Sequence, residues 1–153
     1  MFKALVRILS TFFYVGYLPL IPGTFGSLAG IFLYYFVRGN LADYLLVTSV
    51  VVIIGFFVCG RAERQMQKSD PRYVVIDEVA GMLVSLLFIP YDIKLVVLAF
   101  LLFRILDTLK PFPAGRLERL KGSMGIMGDD LVAGLYTNII LQVVVNFSSF
   151  RIS

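Results

Sequence analysis

The amino-acid sequence predicts an all-α fold: a polytopic membrane bundle of about five short helices plus an N-terminal interfacial segment, with a polar site at the cytoplasmic face. Three observations carry the prediction. Apolar residues make up 59% of the 153 positions, above the roughly 45–50% of soluble domains. Charged residues make up only 16%, against a usual ~25%, so few polar groups remain to coat an outer surface in water. The apolar residues also fall in runs separated by turn signals. A soluble helical bundle with a very apolar core is the competing reading; short runs favour it and the scarcity of polar residues opposes it.

Taken in order, Met1 to Ser10 carries Lys3 and Arg7 and reads as interfacial. No small-residue cleavage site follows, because Tyr14 to Pro22 is bulky, so a removable leader is not expected. Five apolar runs come next: Leu28 to Val37, Leu45 to Gly60, Val79 to Pro90, Leu95 to Phe103 and Leu131 to Phe147. Few reach the ~20 residues that span a bilayer alone, so each is expected to continue as helix into its polar flank. Arg38-Gly39-Asn40 and Pro90-Tyr91-Asp92 read as turns, and Lys110 to Gly128 as the one substantial polar loop. There are no repeats, and 1–153 reads as a single domain.

Charge gives the sidedness. If the chain starts in the cytoplasm and each run crosses once, only Arg38, Lys94 and Arg151 of the 14 lysines and arginines fall outside. That is the positive-inside pattern of a multi-pass protein of the cytoplasmic (inner) membrane. Glu63, Asp70, Asp77, Glu78, Asp107, Asp129 and Asp130 gather at the same inner face with Glu118 near them, while Asp43 and Asp92 go to the other. The net charge of +4 is modest and no nucleic-acid motif is present. Basic flanks around apolar runs suit membrane lipids as partners. The oligomeric state is not legible.

Several chemistries are excluded. Histidine is absent, which removes histidine nucleophiles, histidine bases and most zinc sites. Cys59 is the single cysteine, and Gln65 stands where a C-x5-R phosphatase loop needs arginine. Neither a D-x-D-x-T/V nucleophile motif nor the spaced acids and glycines of a CDP-alcohol phosphotransferase occurs. Catalysis must run on carboxylates, hydroxyls, lysines and a hard metal.

Four segments could carry it: PGTFGS (Pro22 to Ser27), VVIDEVAG (Val74 to Gly81), FRILDTLKPFP (Phe103 to Pro113) and GIMGDDLVAG (Gly125 to Gly134). Asp77-Glu78 and Asp129-Asp130 are acid doublets at the mouths of apolar runs, and Asp107 ends another. Each carboxylate pair ~4–5 Å apart costs a few kcal/mol even at an effective dielectric near 20, so a cation or protons must neutralise them. An all-oxygen ligand set selects a hard ion, Mg²⁺ first. Single acids at helix N-termini could instead complement the macrodipole, which explains two doublets plus Asp107 poorly. Arg104, Asp107 and Lys110 recur at i, i+3 and i+6, so Arg104 and Lys110 could grip phosphate oxygens beside the metal; ordinary surface ion pairs are the alternative. Gly23, Thr24, Gly26 and Ser27 form a loop before an apolar helix, able to present amides and hydroxyls to an anion or merely to cap that helix. Gly81, Gly125, Gly128 and Gly134 suit turns or close helix packing.

The ordered set PGTFGS, VVIDEVAG and FRILDTLKPFPAGRLERLKGSMGIMGDDLVAGLY resembles the phosphatidylglycerophosphatase A family, from about Gly16 to Tyr136, with no departure at the motif acids. The resemblance implies a Mg²⁺-dependent inner-membrane lipid phosphatase of phospholipid biosynthesis. Such an enzyme converts phosphatidylglycerophosphate to phosphatidylglycerol and phosphate. On that basis Asp77, Glu78, Asp107, Asp129 and Asp130 are expected to hold one or two Mg²⁺ ions that activate the attacking water. Lys110, Arg104 and the Gly23 to Ser27 loop hold the phosphate, and a carboxylate not spent on metal serves as base. A transporter or channel with an acidic cation site is the alternative, which would place its acids in mid-membrane along a path.

Overall fold

The computed structural model describes residues 2–68 and 71–147; Asp70 and Arg151, which the charge pattern assigned to faces, lie outside them. Among the described residues there are helices and no strands: α1 (Phe2–Ser10), α2 (Pro22–Val37), α3 (Leu41–Met66), α4 (Ile76–Ser85), α5 (Ile93–Leu109), α6 (Ala114–Leu117) and α7 (Ser123–Phe147). A single 3-10 turn, Val15–Tyr17, joins α1 to α2. The helical membrane bundle expected from composition is the architecture found, with α1 as the N-terminal segment and α2, α3, α4, α5 and α7 as its five main members.

The boundaries differ from the apolar runs in ways that matter for the site. Helix α2 starts at Pro22, whose fixed φ and missing N–H suit a first helical position. PGTFGS is therefore the first turns of a helix and not a loop. Helix α7 starts at Ser123 and absorbs GIMGDD, so the polar loop expected to reach Gly128 ends early. Helices α3 and α7 hold 26 and 25 residues, which at 1.5 Å per residue give about 39 and 37 Å, more than the ~30 Å hydrocarbon core. Both are long and apolar enough to cross a membrane. Asn40 caps α3 by accepting from the Ala42 amide at 2.9 Å, and Asp92 caps α5 by accepting from the Lys94 amide at 2.7 Å.

Helix α4 is the shortest of the five main members. It holds 10 residues, about 15 Å or half a bilayer, and stops at Ser85, well short of the Pro90 at which its apolar run ends. Phe88 then adopts a left-handed conformation, φ 59°. The chain reaches the far end of the bundle at Tyr91, whose ring centre lies 3.6 Å from the Arg38 guanidinium carbon. An interrupted helix leaves carbonyls that lipid cannot satisfy. Here protein side chains satisfy them: the Tyr44 hydroxyl donates to the Leu83 carbonyl, and the Asn138 amide donates to the Ser85 and Leu87 carbonyls at 3.1 and 2.7 Å. Four helices, α2, α3, α5 and α7, pack against α4, whose Val79, Ala80, Met82 and Leu83 are fully buried.

Outward faces are apolar in the same register as the helices. Leu46, Val50, Ile53 and Phe57 form an exposed stripe along α3, as do Ile93, Val97, Leu101 and Ile105 along α5. Exposure of Leu46 at 63% and Phe57 at 61% would be costly in water over so long a strip. Lipid is the solvent these faces suit, and the soluble-bundle reading loses its basis.

Candidate active site

In lipid, apolar burial does not drive helices together, so close approach through small residues does much of that work. Gly134 of α7 packs against the Gly81 carbonyl of α4, leaving no room for a side chain. A Cβ on Gly81 would lie 2.8 Å from the Asp130 carbonyl. This crossing brings the two acid doublets to one place. The start of α4 is held from below, where the Val75 amide donates to the Ser10 carbonyl at the end of α1, 3.0 Å.

The result is a cavity of about 440 Å³ at one end of the bundle, lined by Asp77, Glu78, Asp107, Asp129 and Asp130 together with Arg72, Arg104, Lys110 and Gly23. Two groups of three carboxylates share Asp130: Asp77, Glu78 and Asp130, and Asp107, Asp129 and Asp130, each with oxygens within 4.8 Å of one another. Asp77, Asp129 and Asp130 are buried. Asp77 Oδ1, Glu78 Oε2 and Asp129 Oδ1 are buried with no hydrogen-bond partner, an arrangement too costly to persist without a cation or protons. Helix dipoles do not explain it. Asp77 and Glu78 do sit in a first turn, but Asp129 and Asp130 lie beyond the first turn of α7, and Asp107 lies near the C-terminal end of α5, where a negative charge is disfavoured.

Two cations stand over the acids. Arg104 Nη1 donates to Asp107 Oδ2 at 2.8 Å. Helix α5 ends at Leu109, so Lys110 does not extend its stripe; it caps the helix in a left-handed conformation, φ 47°, before Pro111. That turn sends its ammonium to Asp129 Oδ2 and Glu118 Oε1, 2.7 Å each. Burial pulls the Lys110 pKa down, but the two carboxylates outweigh it and hold it above an ordinary lysine. Lys110 is therefore a fixed positive charge.

The PGTFGS residues divide. Gly23 lines the cavity, and a Cβ there would collide with the Glu78 carboxylate and lie 3.3 Å from both Arg104 guanidinium nitrogens. The other three do not line it. Thr24 gives its amide to the Ile21 carbonyl at 3.1 Å, Gly26 packs against Val75, and the buried Ser27 hydroxyl donates to the Gly23 carbonyl at 3.0 Å. The anion loop expected from the sequence is corrected to a helix start in which Gly26 and Ser27 serve packing. Glu63, counted with the acids, instead accepts the Gly122 amide at 2.7 Å and ties α3 to the start of α7. Gly81 and Gly134 are packing glycines. Residues that motif reading passed over are Arg72 and Thr108, which line the cavity, and Glu118, which holds Lys110.

A buried all-carboxylate cluster beside two cations, in a cavity open at one end of a lipid-facing bundle, can bind a phosphate ester and hold a water against it. The comparisons agree with that chemistry. The family model described as phosphatidylglycerophosphatase A matches residues 8–145. An Escherichia coli K12 protein named phosphatidylglycerophosphatase A is 38% identical over 143 residues, covering 90% of this chain and 82% of its own. A Haemophilus influenzae protein of the same name is 34% identical over 140 residues, 89% of this chain and 86% of its own. A Bacteroides thetaiotaomicron protein, provisionally named a phosphatidylinositol-3-phosphatase, is 34% identical over 145 residues, 89% of this chain and 91% of its own. No solved structure matches the chain.

Proposed function

The chain belongs to the phosphatidylglycerophosphatase A family, and from that premise we propose that it hydrolyses the terminal phosphomonoester of phosphatidylglycerophosphate, giving phosphatidylglycerol and phosphate. The observation that carries the reading is the convergence of Asp77, Glu78, Asp107, Asp129 and Asp130 with Arg104 and Lys110 in one cavity at the end of a membrane bundle. A transporter or channel finds no support, since these acids cluster at one end and not along a path through the helices.

The residues fit Mg²⁺. Orphaned buried oxygens on Asp77, Glu78 and Asp129 and two overlapping three-carboxylate groups supply hard oxygen donors and no nitrogen or sulfur. Asp77, Glu78, Asp107, Asp129 and Asp130 would hold it. Bound there, Mg²⁺ would neutralise the cluster and the phosphate and make water more acidic. The protein's own groups do the rest. Arg104 and Lys110, both already held by carboxylates, present donors to phosphate oxygens as charge develops on them. A carboxylate not engaged by metal takes the proton of the attacking water. Gly23 keeps the wall beside Glu78 and Arg104 open to the phosphate.

The acyl chains would stay in the bilayer, against the apolar faces, while the headgroup enters the cavity. We place the cavity at the cytoplasmic face of the inner membrane. Lys3, Arg7, Arg61, Arg64 and Lys68 lie at its end of the bundle, while Arg38 meets Tyr91 at the opposite end. The reading is tested by phosphate release from phosphatidylglycerophosphate, phosphatidylinositol 3-phosphate and phosphatidic acid by the purified protein in detergent. Strong preference for the first is expected; preference for the inositol lipid would move the substrate to that named for the Bacteroides relative.

A further inference from the structure

We infer that Arg72, with Arg7 and Lys68, forms a second phosphate subsite that binds the inner phosphodiester of the lipid substrate. The inference rests on the activity proposed above and names how that activity selects its lipid.

Arg72 lines two cavities at once. One is the acid cavity; the other, of about 320 Å³, is lined by Arg7, Lys68, Tyr17 and Tyr73 among others, with no carboxylate among the described residues. The cations of the acid cavity differ in their engagement. Arg104 is paired with Asp107, and Lys110 with Asp129 and Glu118. Arg72 makes no ion pair among the described residues and is exposed. Three cations on the wall of one cavity, with no carboxylate beside them among the described residues, repel one another unless an anion joins them.

The support beneath Arg72 is built. The Val74 amide donates to the Pro71 carbonyl at 2.8 Å, closing a turn around Arg72, and the Val75 amide donates to Ser10 at 3.0 Å. The Tyr17 and Tyr73 rings stack with centres 4.9 Å apart, and Gly16 lies so close to the Tyr73 carbonyl that no side chain fits between them. The turn is therefore pinned to the N-terminal segment, and little ordering is left for a ligand to impose.

Substrate chemistry suits a cation shared by the two cavities. Once the terminal phosphate is among the acids, the inner phosphodiester lies one glycerol unit nearer the bilayer. It keeps a single negative charge at any physiological pH, which suits a guanidinium able to donate two parallel hydrogen bonds. Both phosphatidylglycerophosphate and phosphatidylinositol 3-phosphate carry such a diester beneath a monoester. Phosphatidic acid has only the monoester. A cation at Arg72 thus favours lipids with two phosphates whichever polyol joins them.

The test uses the full chain in neutral detergent micelles with no other anionic lipid. Arg72→Ala should raise KM for phosphatidylglycerophosphate about tenfold, the usual effect of one lost charge-assisted contact, with kcat within twofold. Inhibition by phosphatidylglycerol, which keeps only the inner phosphate, should weaken by a similar factor, while inhibition by inorganic phosphate moves less than twofold. Arg72→Lys should recover part of the loss, and Arg119→Ala, an exposed cation outside both cavities, should change none of these. An Arg7→Ala/Lys68→Ala double variant gives the same readout from other elements if Arg72→Ala folds poorly. Unchanged KM, an equal weakening of inorganic phosphate, or an effect seen only after anionic lipid is added would overturn the assignment, the last pointing to a neighbouring headgroup. Failure of the unaltered enzyme to act on the lipid would sink the activity itself; normal turnover with an indifferent Arg72→Ala would sink only the subsite.

Discussion

Gly81→Ala is expected to damage the proposed metal site while removing no group from it. A Cβ at residue 81 would lie 2.6 and 2.7 Å from two ring carbons of Phe103 and 2.8 Å from the carbonyl oxygen of Asp130. Ordinary contact begins near 3.4 Å, so α4 must part from its neighbours by about 0.6–0.8 Å. Phe103 is fully buried and cannot swing aside. Overpacking of this kind costs about 1–3 kcal/mol, partly offset by the ~1 kcal/mol that alanine gains over glycine within a helix. Net destabilisation is then at most about 2 kcal/mol, and the fold should persist. The site is less forgiving, because Mg²⁺ demands near-octahedral ligands at about 2.0–2.1 Å and functional geometry tolerates displacements of only about 0.5 Å. The Mg²⁺ concentration giving half-maximal phosphate release should therefore rise at least about tenfold, roughly 1.4 kcal/mol of lost binding. A magnesium titration of activity, run beside thermal unfolding in detergent, separates the two effects. A lowered melting temperature with an unchanged magnesium midpoint would refute the claim that this crossing sets the carboxylate geometry.

Three further outcomes are expected. Asp77→Asn, Asp107→Asn and Asp129→Asn should each lower turnover at least about a hundredfold, while Asp43→Asn and Asp92→Asn, at the other end of the bundle, should stay within about twofold; equal effects in steady-state assays would break the one-face assignment. Asn138→Leu removes the side-chain donor from the Ser85 carbonyl and leaves the Leu87 carbonyl only the longer Gln142 contact at 3.5 Å; it should cost about 1–3 kcal/mol in detergent unfolding, and wild-type stability would show that the interrupted helix needs no such support. A single turnover in ¹⁸O-water should put the label in phosphate, since a cluster that holds metal leaves few free carboxylates to attack; label in an aspartate would establish a covalent route.

The site was more legible in the sequence than the helices that build it. Paired acids at the edges of apolar runs stand out because lipid makes them expensive, so Asp77-Glu78 and Asp129-Asp130 called for a cation or protons whatever the fold. The end of α4 left no such mark. Nothing between Val79 and Pro90 breaks a helix, and the residue that satisfies the freed carbonyls, Asn138, lies more than 50 positions away. The early start of α7 was hidden by Gly125 and Gly128, poor helix formers that the structure places against Leu120 and Leu117. Pro22 did carry a helix-start signal, but the two glycines and two hydroxyls after it read equally well as a loop. Lys110 was found as a cation of the site for an incomplete reason: periodicity put it on a helix face, whereas the left-handed turn before Pro111 delivers it. Arg72 belongs to no motif and becomes visible only where two cavities meet.

The central claim is that one carboxylate cluster, charged with Mg²⁺, hydrolyses the terminal phosphate of a two-phosphate lipid. It is met most directly by measuring phosphate release from phosphatidylglycerophosphate by the purified protein in excess chelator and again after magnesium is restored. The account predicts no turnover above background in chelator and full recovery with Mg²⁺, with Asp129→Asn silent in both. Undiminished phosphate release in excess chelator would contradict it.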